Sequence, residues 1–247
     1  MVENPVVFYL MTAFVGLLIG VAKGGLGGLV GTLATPMMAL VMPADQVIGL
    51  VLPMLIFADF FAVAAYWRLW KARLALLLLP GGVVGVLVAT LYIINAPEGA
   101  LRKALGIVVL VFTVYKLVES WLLRYMTYQG RDWHGLVAGI AAGFTSALAH
   151  AGGPPVTIYL LLQKVSPIEF NATSVLFFAI LNWIKVPFYW AAGRFDFARL
   201  AQVVLLLPLI PLGVWVGRKF AGRINRLWFE RVIVAALLIS GVMLLFE

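Results

Sequence analysis

The chain has 247 residues, 64% of them hydrophobic and only 11% charged, where a soluble domain is about 45 to 50% apolar and about 25% charged. That composition excludes a soluble fold and leaves an all-α, polytopic transmembrane bundle without a separate soluble domain, the length sufficing for roughly seven to ten passes. The net charge of +8 comes from basic residues lying between apolar runs; they read as anchors in the lipid bilayer rather than a nucleic-acid surface, and the absence of cysteine excludes disulfides, thiolate metal sites and thiol redox chemistry.

In chain order, residues Met1 to Leu10 carry no basic n-region, and their apolar run continues to Ala22, so the start reads as a membrane helix rather than a signal peptide. Further apolar runs cover 29–42, 46–66, 74–94 and 101–118, and a polar linker follows over 120–133. Five more runs lie near 135–149, 154–163, 168–192, 199–217 and 228–246.

The two series match in kind and order, as in a duplication. Met42-Pro43 aligns with Ser166-Pro167, Pro80 and Gly85 with Pro208 and Gly213, and Arg102-Lys103 with Glu230-Arg231. The expected organisation is a first transmembrane repeat over 1–119, a cytoplasmic linker over 120–133 and a second repeat over 134–247. In each copy the first long stretch is interrupted, by Lys23-Gly24-Gly25-Leu26-Gly27-Gly28 and by His150-Ala151-Gly152-Gly153-Pro154-Pro155. Glycine clusters and paired prolines disfavour a continuous helix, so each stretch should break, or re-enter, inside the membrane. Irregular backbone survives at that depth only where protein or a water-filled cavity covers it.

Charge decides the relative direction of the copies. With the loop of Arg68, Lys71 and Arg73 in the cytoplasm, inverted copies place twelve Lys and Arg inside and leave only Arg102, Lys103, Arg194 and Arg199 outside, whereas parallel copies divide the same sixteen evenly. The positive-inside rule favours inversion, with both termini outside. Inverted repeats with matched broken helices are a plan of secondary transporters, whose substrate sits between the copies near the midplane.

At each break a short helix starts, around Leu29 and around Val156, and a helix start attracts anions through unpaired N–H groups and the macrodipole. Lys23 and His150 each precede a cluster, so both breaks carry a cationic or polar donor. The candidate substrate-binding residues are Lys23, Gly24, Gly25, Gly27, Gly28, His150, Gly152, Gly153, Pro154, Asn171, Asn182 and Lys185, with Asp59 and His150 as coupling candidates. Asp59 and Lys185 fall inside long apolar runs, where an ionisable side chain must face a partner or water. Thr32, Thr35, Ser146 and Thr157 are further neutral donors, and Trp67, Trp70, Trp183, Tyr189 and Trp190 are aromatics for a cavity wall or an interfacial belt.

Other patterns carry no chemistry. Gly24 to Gly31 do not make the dinucleotide fingerprint, and Gly16-x3-Gly20, Gly81-x3-Gly85, Gly139-x3-Gly143 and Gly213-x3-Gly217 read as close helix contacts. Asn171-Ala172-Thr173 matches the glycosylation acceptor but begins a membrane helix on the inner side. With two histidines, no cysteine and no clustered carboxylates, the chain lacks the parts of an enzyme, and no cofactor or metal is expected.

The order of Gly16-x3-Gly20, the glycine-rich break after Lys23, Pro36, the basic cluster Arg68 to Arg73, Gly81-Gly82-x2-Gly85, Gly139-x3-Gly143, Gly152-Gly153-Pro154-Pro155 and Asn171-Ala172-Thr173 resembles the sulfite exporter TauE/SafE family over nearly the whole chain. The resemblance implies export of sulfite, of sulfonates such as sulfoacetate, or of related organosulfur anions across a bacterial cell membrane, with a homodimer as a possible assembly. A passive anion channel, a carrier of a different small anion, and a membrane-embedded enzyme or thiol carrier are the alternatives.

Overall fold

The computed structural model describes residues 5–26, 31–125, 131–220 and 226–246, and within them the chain is helical, without a strand. The elements are α1 (Pro5–Val21), a π-helical turn (Ala22–Leu26), α2 (Ala34–Met38), α3 (Ala44–Ala65), α4 (Ala72–Asn95), α5 (Glu98–Tyr125), α6 (Asp132–Ala149), α7 (Gly153–Leu162), α8 (Pro167–Ala191), α9 (Phe197–Val204), α10 (Leu209–Phe220) and α11 (Arg226–Phe246). Local chemistry sets several boundaries. Ser166 caps α8: its hydroxyl accepts from the Glu169 N–H at 3.3 Å, its own N–H donates to the Glu169 carboxylate at 2.9 Å, and Pro167 opens the helix. Asp196 caps α9 by accepting from the Arg199 N–H at 3.1 Å.

Among the described residues four helices are long and apolar enough to cross a bilayer: α1 with its π-helical extension, α3, α4 and α8. The bent pair α9–α10 makes a fifth if it counts as one span. Among the described residues this measure therefore gives four or five spans, where length alone allowed roughly seven to ten. Ten residues of α7 reach only about 15 Å, half of the hydrocarbon, and α5 carries Arg102, Lys103, Lys116 and Glu119 along its length. The aligned prolines also part ways: α4 runs unbroken through Pro80, whereas Pro208 lies in the turn where α9 and α10 bend by 52°.

Cross-contacts set helix directions. Asp45 at the start of α3 pairs with Arg194 beyond the end of α8, Asp59 in mid-α3 accepts from Asn182 in mid-α8, and Lys71 beyond the end of α3 pairs with Glu169 at the start of α8. The two helices therefore run antiparallel. So do α5 and α11, where Gly106 lies against Gly241 and Lys116 approaches Glu230.

The glycine patterns make two close seams between parallel helices. On α4 and α6, a Cβ at Gly85 would stand 2.2 Å from the Ile140 carbonyl oxygen, and one at Gly143 would stand 2.2 Å from that of Gly82. On α1 and α10, Gly20 and Gly24 face Gly213 and Gly217 at similar range. Gly16 instead touches the Met54 side chain, so the seam on this side is Gly20-x3-Gly24. α1 thus packs on α10 while α6 packs on α4.

Candidate functional site

Both interrupted stretches border one cavity of about 200 Å³. Lys23 of the π turn, Gly31 and Thr32 line it from the first stretch, and Ser146, His150, Gly153 and Thr157 line it from the second. α8 adds Phe170, Asn171, Ser174, Val175, Phe178 and Asn182, and Leu55 and Tyr66 close the α3 side.

His150 terminates α6 in the left-handed region, with φ 52°, and its N–H donates to the Ser146 carbonyl at 3.0 Å. A non-glycine residue there costs roughly 1–2 kcal/mol. Its Nδ1 lies 3.0 Å from the Thr35 hydroxyl of α2, while Nε2 is buried without a partner among the described residues. When Nδ1 accepts from the Thr35 hydroxyl, the proton of the neutral ring sits on Nε2, which then donates to whatever the cavity holds.

The second stretch breaks within its cluster, but Pro154 and Pro155 are not the break itself; they occupy the first turn of α7, where backbone donors lack partners in any case. The interruption belongs to His150, Ala151 and Gly152. The prolines also remove two of the four free donors, so the start of α7 keeps the N–H groups of Gly152 and Gly153 and a macrodipole, but not a full cradle.

Of the charged groups, Lys23 stands in this wall, and Asp59 and Lys185 sit just behind it. Lys23 Nζ lies 2.5 Å from Asp59 Oδ1, and the Asn182 amide donates to Asp59 Oδ2 at 2.7 Å. Asp59 is 3% exposed, and removing one member of such a buried pair costs about 3–5 kcal/mol. Lys185 is 0% exposed and donates to the Ser146 carbonyl at 3.3 Å and hydroxyl at 3.1 Å.

Of the residues singled out from sequence, Lys23, His150, Gly153, Asn171 and Asn182 reach the cavity wall, and Lys185 and Asp59 stand one side chain behind it. Gly24 is taken up by the seam with α10, where a Cβ would stand 2.4 Å from the Val214 carbonyl oxygen. Gly152 is a packing position, 2.6 Å by the same measure from the Ala142 carbonyl oxygen. Pro154 is not part of the wall. Gly25 lies in the π turn, and Gly27, Gly28 and Leu29 fall outside the described residues.

The five aromatics proposed for the wall do not line this cavity. Trp67 and Trp183 border a separate recess of about 320 Å³ that Asp59 also touches, Trp190 is exposed, and Tyr189 is buried with its hydroxyl donating to the Ala147 carbonyl at 2.6 Å. The wall aromatics are Tyr66, Phe170 and Phe178, which no sequence pattern marked, although Phe170, Ser174 and Phe178 share one helical face at a spacing of four.

The sulfite exporter TauE/SafE family matches residues 12–244. The chain is similar to the probable sulfite/organosulfonate exporter TauE of Cupriavidus necator, 26% identical over 179 residues, which are 72% of this chain and 68% of that protein. No solved structure matches. With the match running from within α1 to the end of α11, the chain belongs to the sulfite exporter TauE/SafE family.

Proposed function

We propose that this membrane protein exports a small sulfur-containing anion, sulfite or a sulfonate, by alternating access from a bacterial cytoplasm. One observation carries the reading: two chain interruptions about 125 residues apart border the same cavity and bring Lys23 and the unpaired Nε2 of His150 to it. Hydroxyl and amide donors from Thr32, Thr157, Asn171 and Asn182 suit an oxyanion, and Phe170, Phe178 and Val175 suit a short organic substituent.

Two inverted repeats, 1–119 and 134–247 joined by a cytoplasmic linker, complete the proposal. Supporting it are the exchange of partners between α1 on α10 and α6 on α4, and the antiparallel run of the matched helices α3 with α8 and α5 with α11. A two-fold axis in the membrane plane produces that pattern. The cavity extends toward Tyr66 and the exposed Asn171, near the Lys71–Glu169 pair. The opposite end is tightly packed, with a Cβ at Gly49 only 1.8 Å from the Arg194 carbonyl oxygen. This packing supports access from one side at a time, the open side being the one read as cytoplasmic.

The test is uptake of labelled sulfite and sulfoacetate into proteoliposomes. Saturable flux with counterflow is expected, and unsaturable flux would favour the channel reading. Lys23→Ala should lower the flux at least about tenfold, by loss of a charge-assisted contact; unimpaired uptake removes Lys23 from the site. His150 and Asp59 are the coupling candidates, and a rate indifferent to an imposed pH gradient would exclude proton coupling through either.

A further inference from the structure

We infer that Asp59 fixes the charge of the anion this cavity accepts, at one negative charge per site. The inference rests on the transport reading above and narrows its substrate class. The ionic and basic groups in the cavity wall or one side chain behind it come from four elements, Lys23 from the π turn after α1, Asp59 from α3, Lys185 from α8 and His150 from the end of α6, and Tyr66 adds a phenol to the wall. His150, whose imidazole is a far weaker base than an amine, counts as neutral, one ring nitrogen engaged by Thr35 and the other buried. Lys23 is already paired, at 2.5 Å, with Asp59.

Lys185 is the second basic side chain. Its hydrogen-bond partners are the carbonyl and hydroxyl of Ser146, both neutral dipoles, at 0% exposure. An amine buried with dipoles alone holds a charge only once a counter-charge is brought to it, and Ser146, which it holds, lines the cavity together with Asn182, which holds Asp59. A monoanion in the cavity completes the balance of two cations against two negative charges. A dianion leaves one negative charge in excess in a low-dielectric cluster, a state such a site disfavours.

A carboxylate is a poor choice for attracting an anion, yet Asp59 is built in firmly, with Lys23 on one oxygen and Asn182 on the other. Its chemistry here is rejection: it consumes one of two cations and so sets the valence. Among sulfur oxyanions the cavity then favours hydrogen sulfite and singly charged sulfonates over sulfate and over sulfonates such as sulfoacetate that bring a carboxylate into the cluster, so of the two labelled substrates above sulfite is expected to be carried better.

The test compares uptake of ethanesulfonate with that of ethane-1,2-disulfonate by the full chain in proteoliposomes. Both probes are strong acids whose charge does not change with working pH. Wild type is expected to favour ethanesulfonate by about tenfold or more, and Asp59→Asn, which is isosteric, to move the ratio toward the disulfonate by about tenfold or more. Size differs between the probes but cancels when one ratio is compared across variants.

The double variant Lys23→Met with Asp59→Asn leaves no unpaired charge from the ion pair, so it stays informative should Asp59→Asn alone fail to fold. Its flux should fall as that of Lys23→Ala does, while its residual uptake keeps the wild-type preference for ethanesulfonate, because Lys185 remains as the one basic group of the cluster. A wild type that carries both probes alike, an unchanged ratio in active Asp59→Asn, or a double variant whose residual uptake favours the disulfonate would overturn the inference while leaving transport intact. A wild type that moves neither probe nor sulfite overturns the transport reading itself and this inference with it.

Discussion

At the scale of single residues, His150 joins backbone geometry to chemistry. Its left-handed φ ends α6 and turns the chain toward α7, and the same conformation leaves Nδ1 beside Thr35 and Nε2 unpaired at the cavity. Glycine adopts that backbone without steric cost, so His150→Gly separates the two roles. Thermal stability should stay within about 1 kcal/mol of wild type, relief of strain offsetting the lost contact to Thr35, while anion uptake falls at least about tenfold. Unchanged uptake in a folded variant would reduce His150 to a turn residue. The sequence marked His150, as it marked Lys23, by placing a polar donor beside a glycine cluster in an apolar run. It did not mark the wall of Tyr66, Phe170 and Phe178, because aromatics abound in any membrane chain and only the bend of the backbone decides which ones meet a cavity.

At the scale of elements, backbone contact between helices replaces hydrophobic burial as the source of adhesion, since lipid is as apolar as the side chains. The α4–α6 and α1–α10 seams are therefore sensitive to volume. Gly143→Val places a Cβ 2.2 Å from the Gly82 carbonyl oxygen, which neither backbone can yield, and a loss above about 3 kcal/mol is expected. Gly99→Ala in the first turn of α5 meets nothing within 4 Å and should gain about 0.5–1 kcal/mol. Thermal unfolding in detergent checks both, and equal effects at the two positions would deny the seam its role. Three of the four G-x3-G patterns were legible as close contacts from spacing alone, but their pairing was not. Nor was the shift on α1 from Gly16 and Gly20 to Gly20 and Gly24, which depends on how far α1 slides along α10. The bend between α9 and α10 was likewise hidden, because Pro80 is tolerated in α4 and its aligned partner Pro208 is not.

At the scale of the whole molecule, membrane orientation is the testable quantity. The chain contains no cysteine, so a single introduced thiol reports its own side. Leu69→Cys, at an exposed position between α3 and α4, should react with an impermeant maleimide only from the cytoplasmic face, and Gly99→Cys only from the outer face. Labelling of both from one face would contradict the span α4 between them, and a reversed pattern would turn the exporter's open side outward.

What the sequence determined by itself was membrane residence, the run-by-run positions of most helices, the two interruptions and the donors beside them. All of these follow from local composition, which fixes how each segment partitions and where helix propensity fails. What only the tertiary structure decided was that both interruptions border one cavity, that Asp59 holds Lys23 while Lys185 stands behind Ser146, and that α7 starts on prolines that cost it two donors. Those facts join residues 36, 39 and more than 100 positions apart, and at such separations the partner is chosen by packing and by the low dielectric of the bundle, neither of which is written in any local stretch of chain.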